Sequence, residues 1–212
     1  MQQPSITFWG FILHEPATVL TDLILSVACL IFFYKVRKIH ATYWSVFFVL
    51  MSLATFLGAM GHGLFTDKNN YVQWFSRLIG IVSIYFASIA SIHLLDSIRL
   101  KKFLFGFALA ELIMALVLIL LFNNFRVVKF NGTLGMGFLV GGIHLSRAFS
   151  GRRGSAMIVG GILINALAGL VHRYQISPDK WFNYNDLGHV IMLSGLYVIS
   201  RGVIQNMHEE NV

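Results

Sequence analysis

The sequence predicts an all-α integral membrane protein, a bundle of seven transmembrane helices. Three observations support this fold class. Hydrophobic residues make up 57% of the 212 residues and charged residues only 12%, whereas a typical soluble domain is about 25% charged. Seven apolar segments long enough to cross a bilayer follow one another along the chain. The connections between them are short, which favours antiparallel neighbours in one compact bundle.

The predicted spans occupy almost the whole chain, so we expect a single membrane domain over residues 1–212. The N-terminal stretch lacks the basic region of a cleavable signal peptide, and we therefore expect the first span to be retained. The one cysteine, Cys29, lies inside an apolar segment, which excludes a disulfide scaffold. The predicted spans are residues 17–36, 43–65, 74–97, 103–122, 127–148, 154–173 and 183–203.

The basic residues predict the orientation of the bundle. Ten of the 16 Lys and Arg residues fall in one set of alternating loops, which includes the pairs Arg37-Lys38 and Arg152-Arg153. By the positive-inside rule, the N-terminus is then outside and the C-terminus is cytoplasmic. Membrane topology also explains the net charge of +7, so we expect no nucleic-acid partner. The expected location is the bacterial inner membrane or another cellular membrane.

One side of the first span is polar, although the rest of this segment is apolar. Glu15, Thr18 and Asp22 are spaced i, i+3 and i+7, so they share one helical face. Glu15 precedes Pro16 at the predicted helix start, where a carboxylate can act as a cap. Both this structural role and a functional one stay open for Glu15. Asp22 lies deeper and needs a partner such as a histidine, Arg77 or a metal ion.

The predicted topology brings more polar residues to the outer half of the bundle. His62 and His172 end the second and sixth spans, and His189 lies early in the seventh. Asn185 and Asp186 precede His189 by about one helical turn. Histidine is a common zinc ligand, and a catalytic zinc ion takes three protein ligands and a water molecule. The alternative is that His62 and His189 form only hydrogen bonds inside the bundle, and that His172 is an interfacial histidine beside Arg173.

A second polar group is expected in the inner half of the bundle. His93 and Asp96 are spaced i, i+3 and can pair with each other. Glu111 lies in the middle of the fourth span, where a carboxyl group must be protonated or bonded to a neighbour such as His144. Its position keeps a proton-pathway interpretation open.

Glycine is frequent inside the spans, and its pattern is typical of close helix packing between small residues. No strand precedes these glycines and no Lys-Ser/Thr pair follows them, so they do not form a phosphate-binding loop. They are Gly58, Gly61 and Gly63, the glycines within 135–142, and Gly160, Gly161 and Gly169.

Three short motifs resemble the CREST superfamily, which includes alkaline ceramidases, progestin/adiponectin receptors and Per1-like proteins. Glu15-Pro-Ala-Thr-Val-Leu-Thr-Asp22 is similar to the Glu-x-x-Asn-Thr-x-Ser-Asn pattern in the first span of alkaline ceramidases. Gly58-Ala-Met-Gly-His62 is similar to their Ser-x-x-x-His, with Gly58 in place of the serine. Asn185-Asp-Leu-Gly-His189 is similar to their seventh-span His-x-x-x-His, with Asn185 in place of the first histidine.

This resemblance implies a membrane-embedded, zinc-dependent hydrolase that acts on a lipid amide or ester. His62 and His189 would be zinc ligands, and His172 or Asp186 would complete the set. The metal would lower the pKa of its bound water towards about 7. Asp22 or Asp186 would act as general base, and the substrate would be a membrane lipid that enters between helices.

Two other functions stay open. One is a non-enzymatic seven-span receptor or lipid-binding protein that has kept the scaffold and lost the chemistry, as the replaced motif positions Gly58 and Asn185 suggest. The other is a proton or small-solute carrier built around Glu111, although no inverted halves are evident in the sequence.

Overall fold

The computed structural model of the protein describes residues 4–65, 67 and 70–210. Helices dominate this part of the chain, and a small antiparallel hairpin precedes them. The hairpin strands are β1 (Ile6–Phe8) and β2 (Phe11–Leu13). The helices are α1 (Pro16–Arg37), α2 (Thr42–Leu64), α3 (Tyr71–Ile92), α4 (Ile98–Phe122), α5 (Phe125–Asn131), α6 (Gly141–Phe149), α7 (Arg153–Tyr174) and α8 (Tyr184–Glu210).

Six of these helices are long and apolar enough to cross a membrane, namely α1 to α4, α7 and α8. The prediction of an all-helical chain with membrane-spanning segments is therefore confirmed at this level. Most predicted boundaries agree with the helices to within a few residues. The largest difference is at the end of α8, which continues to Glu210 instead of ending at 203.

The predicted fifth span corresponds to three consecutive helical pieces. A π-helical segment, Gly132–Val140, joins α5 directly to α6. Both junction residues, Gly132 and Gly141, have right-handed helical backbone angles, so the chain direction continues through them. A π-helical stretch is rare and often marks a functional site. Periodicity in the sequence did not reveal it, because a different backbone hydrogen-bond pattern leaves the apolar composition unchanged.

The helices pack in an order that closes a ring. α1 packs against α2 and α8, α7 packs against α8 and α6, and α3 packs against α2 and the π-helical segment. α4 lies against α3 and α5. Large side chains such as Leu25, Phe47, Phe48, Ile92 and Leu196 fill the centre. This order places α1 between α2 and α8, the two helices that carry His62 and His189.

The hairpin, which the sequence analysis did not predict, positions the start of α1. Trp9 and Gly10 both have positive φ angles, as a tight two-residue hairpin turn requires. After β2, the His14 amide donates a hydrogen bond to the Gly63 carbonyl at 3.0 Å. The first residues of α1 are thereby held against the end of α2.

Close helix packing accounts for some of the predicted glycines but not for others. Cβ atoms at six of them would lie within 4 Å of an atom of another helix or strand: Gly58, Gly61, Gly63, Gly135, Gly141 and Gly161. Cβ atoms at Gly142, Gly160 and Gly169 would meet no other described atom within 4 Å, so close packing does not explain these three glycines.

Candidate active site

The polar face of α1 meets a histidine from each neighbouring helix. We call this group the α1 polar cluster. The first contact joins α1 to α2, where His62 Nδ1 lies 2.6 Å from Glu15 Oε2. The Glu15 side chain is 10% exposed and the His62 side chain 21% exposed, so this pair can be reached from outside the protein. The cluster consists of Glu15, Thr18, Thr21, Asp22, His62 and His189.

The backbone of Glu15 favours a role at this contact over a role as a helix cap. Glu15 precedes α1 in a left-handed conformation, φ 43° and ψ 55°, and its side chain forms no capping hydrogen bond. A residue with a Cβ rarely adopts this conformation, which costs roughly 1–2 kcal/mol. The carboxylate reaches His62 instead of the amides of its own helix. The geometry therefore argues against the cap, whereas a functional role for Glu15 stays a prediction.

The second contact joins α1 to α8. Asp22 Oδ1 lies 3.4 Å from His189 Nε2, and Thr21 Oγ1 lies 3.0 Å from His189 Nδ1. Both nitrogens of this imidazole therefore face α1, one towards a carboxylate and one towards a hydroxyl. The Asp22 partner that the sequence analysis required is His189, whereas Arg77 donates hydrogen bonds to Asn123 at 2.8 Å.

The predicted stripe on α1 is confirmed as one buried face. Glu15, Thr18 and Asp22 are each less than a tenth exposed. Asp22 is within electrostatic range of Glu15 and His62, so the two acid–histidine pairs act on each other. The buried Thr18 hydroxyl has no hydrogen-bond partner within the described residues. A buried hydroxyl without a protein partner indicates a place for a water molecule or a ligand atom.

Gly58 on α2 forms the wall beside Asp22. A Cβ atom at this position would lie 3.1 Å from Asp22 Oδ2, tighter than an ordinary contact. Its carbonyl accepts a hydrogen bond from Gln73 Nε2 at 3.2 Å. Gly58 is therefore directly beside the Asp22 carboxyl group.

Asp186 takes part in the start of α8. Its Oδ2 accepts a hydrogen bond from the Asn183 amide at 2.6 Å, and Asn183 Oδ1 accepts one from the Asn185 amide at 2.7 Å. These two bonds cap the start of α8, with Asn183 as the N-cap residue. They give Asn185 and Asp186 a structural role that the sequence analysis did not consider. Asp186 is fully buried and within electrostatic range of Asp22.

His172 lies at the end of α7 in a different set of contacts. Its Nδ1 lies 2.9 Å from Lys129 Nζ, and its ring packs against Phe125 and Tyr184. It remains within electrostatic range of His189. The interpretation of His172 as an interfacial histidine beside basic residues agrees with these contacts.

The inner polar residues do not form the pairs suggested by their spacing. His93 stacks on Tyr43, with ring centroids 5.1 Å apart, and its edge contacts Phe105. His144 bonds to Ser91 and Ser155 at 3.2 and 3.0 Å. Glu111, for which His144 was one suggested partner, accepts a hydrogen bond from Asn131 instead.

Three residues of this region were missed by the sequence analysis. Thr21 adjoins Asp22 in the chain and bonds to His189, Gln73 holds the backbone beside Gly58, and Asn183 caps α8. Asparagine is a common N-cap residue, so the cap was the only one of the three with a recognisable local signal. The other two contacts join distant parts of the chain.

The predicted zinc donors do not form a three-ligand set. Within residues 4–65, 67 and 70–210, no group of three or more His, Cys, Asp or Glu side chains is placed to hold a metal ion. His62 bonds to a carboxylate, His189 lies between a carboxylate and a hydroxyl, and His172 lies beside Lys129. As arranged in the structure, these side chains do not fit the zinc site that the resemblance implies.

A comparison with protein families finds a match. A family model described as "Family of unknown function (DUF6962)" matches residues 17–208, which include all of the α1 polar cluster except Glu15. No curated protein and no solved structure matches the chain.

Proposed function

The chain belongs to this family of unknown function, and we propose from the arrangement of its side chains that it is a membrane-embedded hydrolase of a lipid amide or ester. One observation carries the proposal. Two acid–histidine pairs, Glu15–His62 and Asp22–His189, meet on one buried face of α1. Paired imidazoles and carboxylates are the groups that accept and donate protons during hydrolysis near neutral pH. The resemblance to alkaline ceramidases at the same positions supports the same reaction class.

We place this site in the outer half of a seven-span bundle with its N-terminus outside. The helical run from α5 through α6 would be the remaining span. The end of α8 supports the orientation, because Glu210 bonds to Arg147 and the Glu209 carbonyl accepts from Arg152 at 3.0 Å. The C-terminal end therefore lies beside the basic loop that the positive-inside rule assigns to the cytoplasm.

His62 is the proposed general base. If the Nδ1–H of its neutral ring donates to Glu15, Nε2 is left as the proton acceptor. Glu15 would hold this tautomer and stabilise the charged ring that forms, as a carboxylate does for a catalytic histidine. Nε2 would take a proton from water while the water oxygen bonds to the acyl carbon. The unpartnered hydroxyl of Thr18 would help to position that water.

The Asp22–His189 pair is the proposed acid. As the bond between the acyl carbon and the leaving nitrogen or oxygen breaks, the leaving atom needs a proton. The proton shared between Asp22 and His189 would supply it, and Thr21 would orient the ring through Nδ1. The proton taken up by His62 replaces the one given by His189 after product release, so the cycle is balanced.

Zinc stays a prediction from the resemblance, and the proton transfers of His62 and His189 do not require it. The zinc prediction is tested by measuring zinc per chain in detergent-purified protein, for the wild type and the variants His62→Ala and His189→Ala. His93→Ala is the control, because this residue stacks between aromatic rings outside the cluster. About one zinc per chain, lost in both cluster variants and kept in the control, would support a metal site.

The activity is tested with a panel of fluorescent lipids that contains an N-acyl sphingoid base, an N-acyl ethanolamine and a glycerol ester. We expect release of fluorescent fatty acid from at least one of them. His62→Ala and His189→Ala should lower the rate by about 10²-fold or more, the scale of lost acid–base catalysis. His93→Ala should keep the wild-type rate.

Two outcomes would overturn the hydrolase. One is hydrolysis that persists unchanged in both His62→Ala and His189→Ala. The other is binding of the same lipids without cleavage by the wild type. The second outcome would support a non-enzymatic receptor or lipid-binding protein, which Gly58 in place of the ceramidase serine also favours.

A further inference from the structure

A second polar cluster lies away from α1, halfway along α4. We call it the Glu111 cluster; it consists of Ser88 on α3, Glu111 on α4 and Asn131 at the end of α5. All three side chains are less than a twentieth exposed. Asn131 Nδ2 donates a hydrogen bond to Glu111 Oε1. Within the described residues Glu111 forms no ion pair, because the ion pairs there involve other acids.

Two oxygen atoms of this cluster have no hydrogen-bond partner in the part of the chain that the structure describes. They are the hydroxyl oxygen of Ser88 and the amide oxygen of Asn131, whose residues are 1% and 0% exposed. Leaving a buried polar atom without a partner costs about 1–3 kcal/mol. Two such atoms beside one buried carboxyl group therefore indicate that something else bonds to them.

The π-helical segment brings its backbone to this point. A Cβ atom at Gly135 would lie 3.6 Å from Ser88 Oγ and 3.7 Å from Glu111 Oε2, and it would overlap Ile84. The absence of a side chain at Gly135 therefore leaves the hydroxyl and the carboxylate facing the same position. π-helical turns frequently accompany functional sites, because they change the direction of main-chain groups.

Apolar side chains enclose the cluster from both ends of the helices. Towards the end of α4, Ile81, Ala115, Ile119 and Val127 form a separate buried group across α3, α4 and α5. On the opposite side lie Ala87, Ala108 and Leu139, which belong to the main core. The cluster is thus a small polar site within an apolar surrounding, where an unbalanced charge is expensive.

We propose that the Glu111 cluster binds a sodium ion. The carboxylate of Glu111, the amide oxygen of Asn131 and the hydroxyl of Ser88 are the neutral and anionic oxygen ligands that hard cations prefer. Main-chain carbonyls of an irregular helix also serve as sodium ligands in membrane proteins. One cation would satisfy both orphaned oxygens and the carboxylate together.

The single negative charge of the Glu111 carboxylate favours a monovalent cation over a divalent one. One carboxylate and one Na⁺ sum to zero, whereas a divalent ion would leave a net charge in an apolar surrounding. A proton would also neutralise Glu111. It can form only one hydrogen bond, however, so at least one of the two orphaned oxygens would stay unsatisfied. Protons and Na⁺ should therefore compete for this site, with Na⁺ as the occupant that satisfies it.

The test is equilibrium binding of radioactive ²²Na⁺ to detergent-purified full-length protein in choline chloride buffer. We expect about one Na⁺ per chain, with binding that weakens as the pH falls. Glu111→Gln should abolish binding. Ser88→Ala removes one ligand and should weaken binding by about tenfold or more. The matched control is Ser83→Ala, a fully buried serine of the same helix whose hydroxyl already donates to the Gly80 carbonyl at 2.7 Å.

The control should bind Na⁺ as the wild type does, and all variants must elute as one species in size-exclusion chromatography before they are compared. Wild-type protein without ²²Na⁺ binding would overturn the proposal. So would equal weakening by Ser88→Ala and Ser83→Ala, because the effect would then report general packing of α3. Binding that persists in folded Glu111→Gln protein would place any sodium site elsewhere. None of these outcomes bears on the α1 polar cluster, which shares no residue with this site.

Discussion

Glu15 and His62 are joined at 2.6 Å across the α1–α2 interface, and Glu15 adopts a left-handed backbone conformation at this contact. The two facts belong together, because that conformation turns the carboxylate away from the amides of α1 and towards α2. Backbone strain of this kind often accompanies functional sites, where the surrounding contacts enforce it. Here the hydrogen bond from His14 to Gly63 holds the adjoining chain in place.

The strain at Glu15 predicts different stabilities for two variants that both lack the carboxylate. Glu15→Gly should be more stable than Glu15→Ala by about 1 kcal/mol, since only glycine adopts a positive φ angle without a steric cost. The measurement is thermal unfolding of the two purified proteins in the same detergent. Equal stability, or a more stable alanine variant, would show that the left-handed conformation is not maintained.

Thr21 is predicted to orient His189 through the contact at 3.0 Å. Thr21→Val removes the hydroxyl and keeps the shape, so hydrolysis should fall by about tenfold while the helices stay folded. Thr55→Val is the control, because among the described residues the Thr55 hydroxyl bonds only to carbonyls of its own helix, at 3.0 and 3.1 Å. If both variants hydrolyse lipid at the same rate, Thr21 has no role in positioning the imidazole.

Two adjacent glycines of α7 are predicted to respond differently to the same substitution. A Cβ atom at Gly161 would lie 2.6 Å from the Gly195 carbonyl and from Ile199 Cγ1, whereas one at Gly160 has nothing within 4 Å. Gly161→Ala should therefore destabilise the protein by about 1–3 kcal/mol. Gly160→Ala should be neutral or slightly stabilising, by up to about 1 kcal/mol. Denaturant titration in detergent measures both, and a similar loss in the two variants would contradict the α7–α8 packing.

The predicted orientation is tested with reporters fused after α8. A C-terminal green fluorescent protein should be fluorescent and a C-terminal alkaline phosphatase inactive, since the latter folds only outside the cytoplasm. The motivation is the loop charge asymmetry and the contact of Arg147 with Glu210. An active phosphatase fusion would reverse the topology and move the α1 polar cluster to the inner half.

Hydrophobicity along the chain was sufficient to locate the six long helices. Apolar runs of about 20 residues determine where a membrane helix lies, because each backbone polar group must bond within its own helix in lipid. The spacing of Glu15, Thr18 and Asp22 likewise determined that they share one face, because the helical period is local. The sequence alone therefore predicted the polar stripe and both histidines that contact it.

Only the tertiary structure decided which groups pair with each other. Asp22 pairs with His189 of α8, which lies at the other end of the sequence. Local spacing does not specify such contacts, because they depend on the order in which helices pack. For the same reason it did not predict that Glu111 bonds to Asn131 and not to His144.

The roles of Glu15 and Asp186 show most clearly what the sequence determines and what only the tertiary structure decides. Both are acids at the start of a helix, and the sequence could not distinguish a cap from a site residue. In the structure Asp186 accepts the Asn183 amide and caps its helix, whereas Glu15 bonds to His62. The sequence determined that both positions are acidic and where each helix starts. The backbone conformation of Glu15 and the position of α2 decided that Glu15 bonds to His62 while Asp186 caps α8. A side chain bonds to the partner within its reach, and that partner depends on how the helices pack.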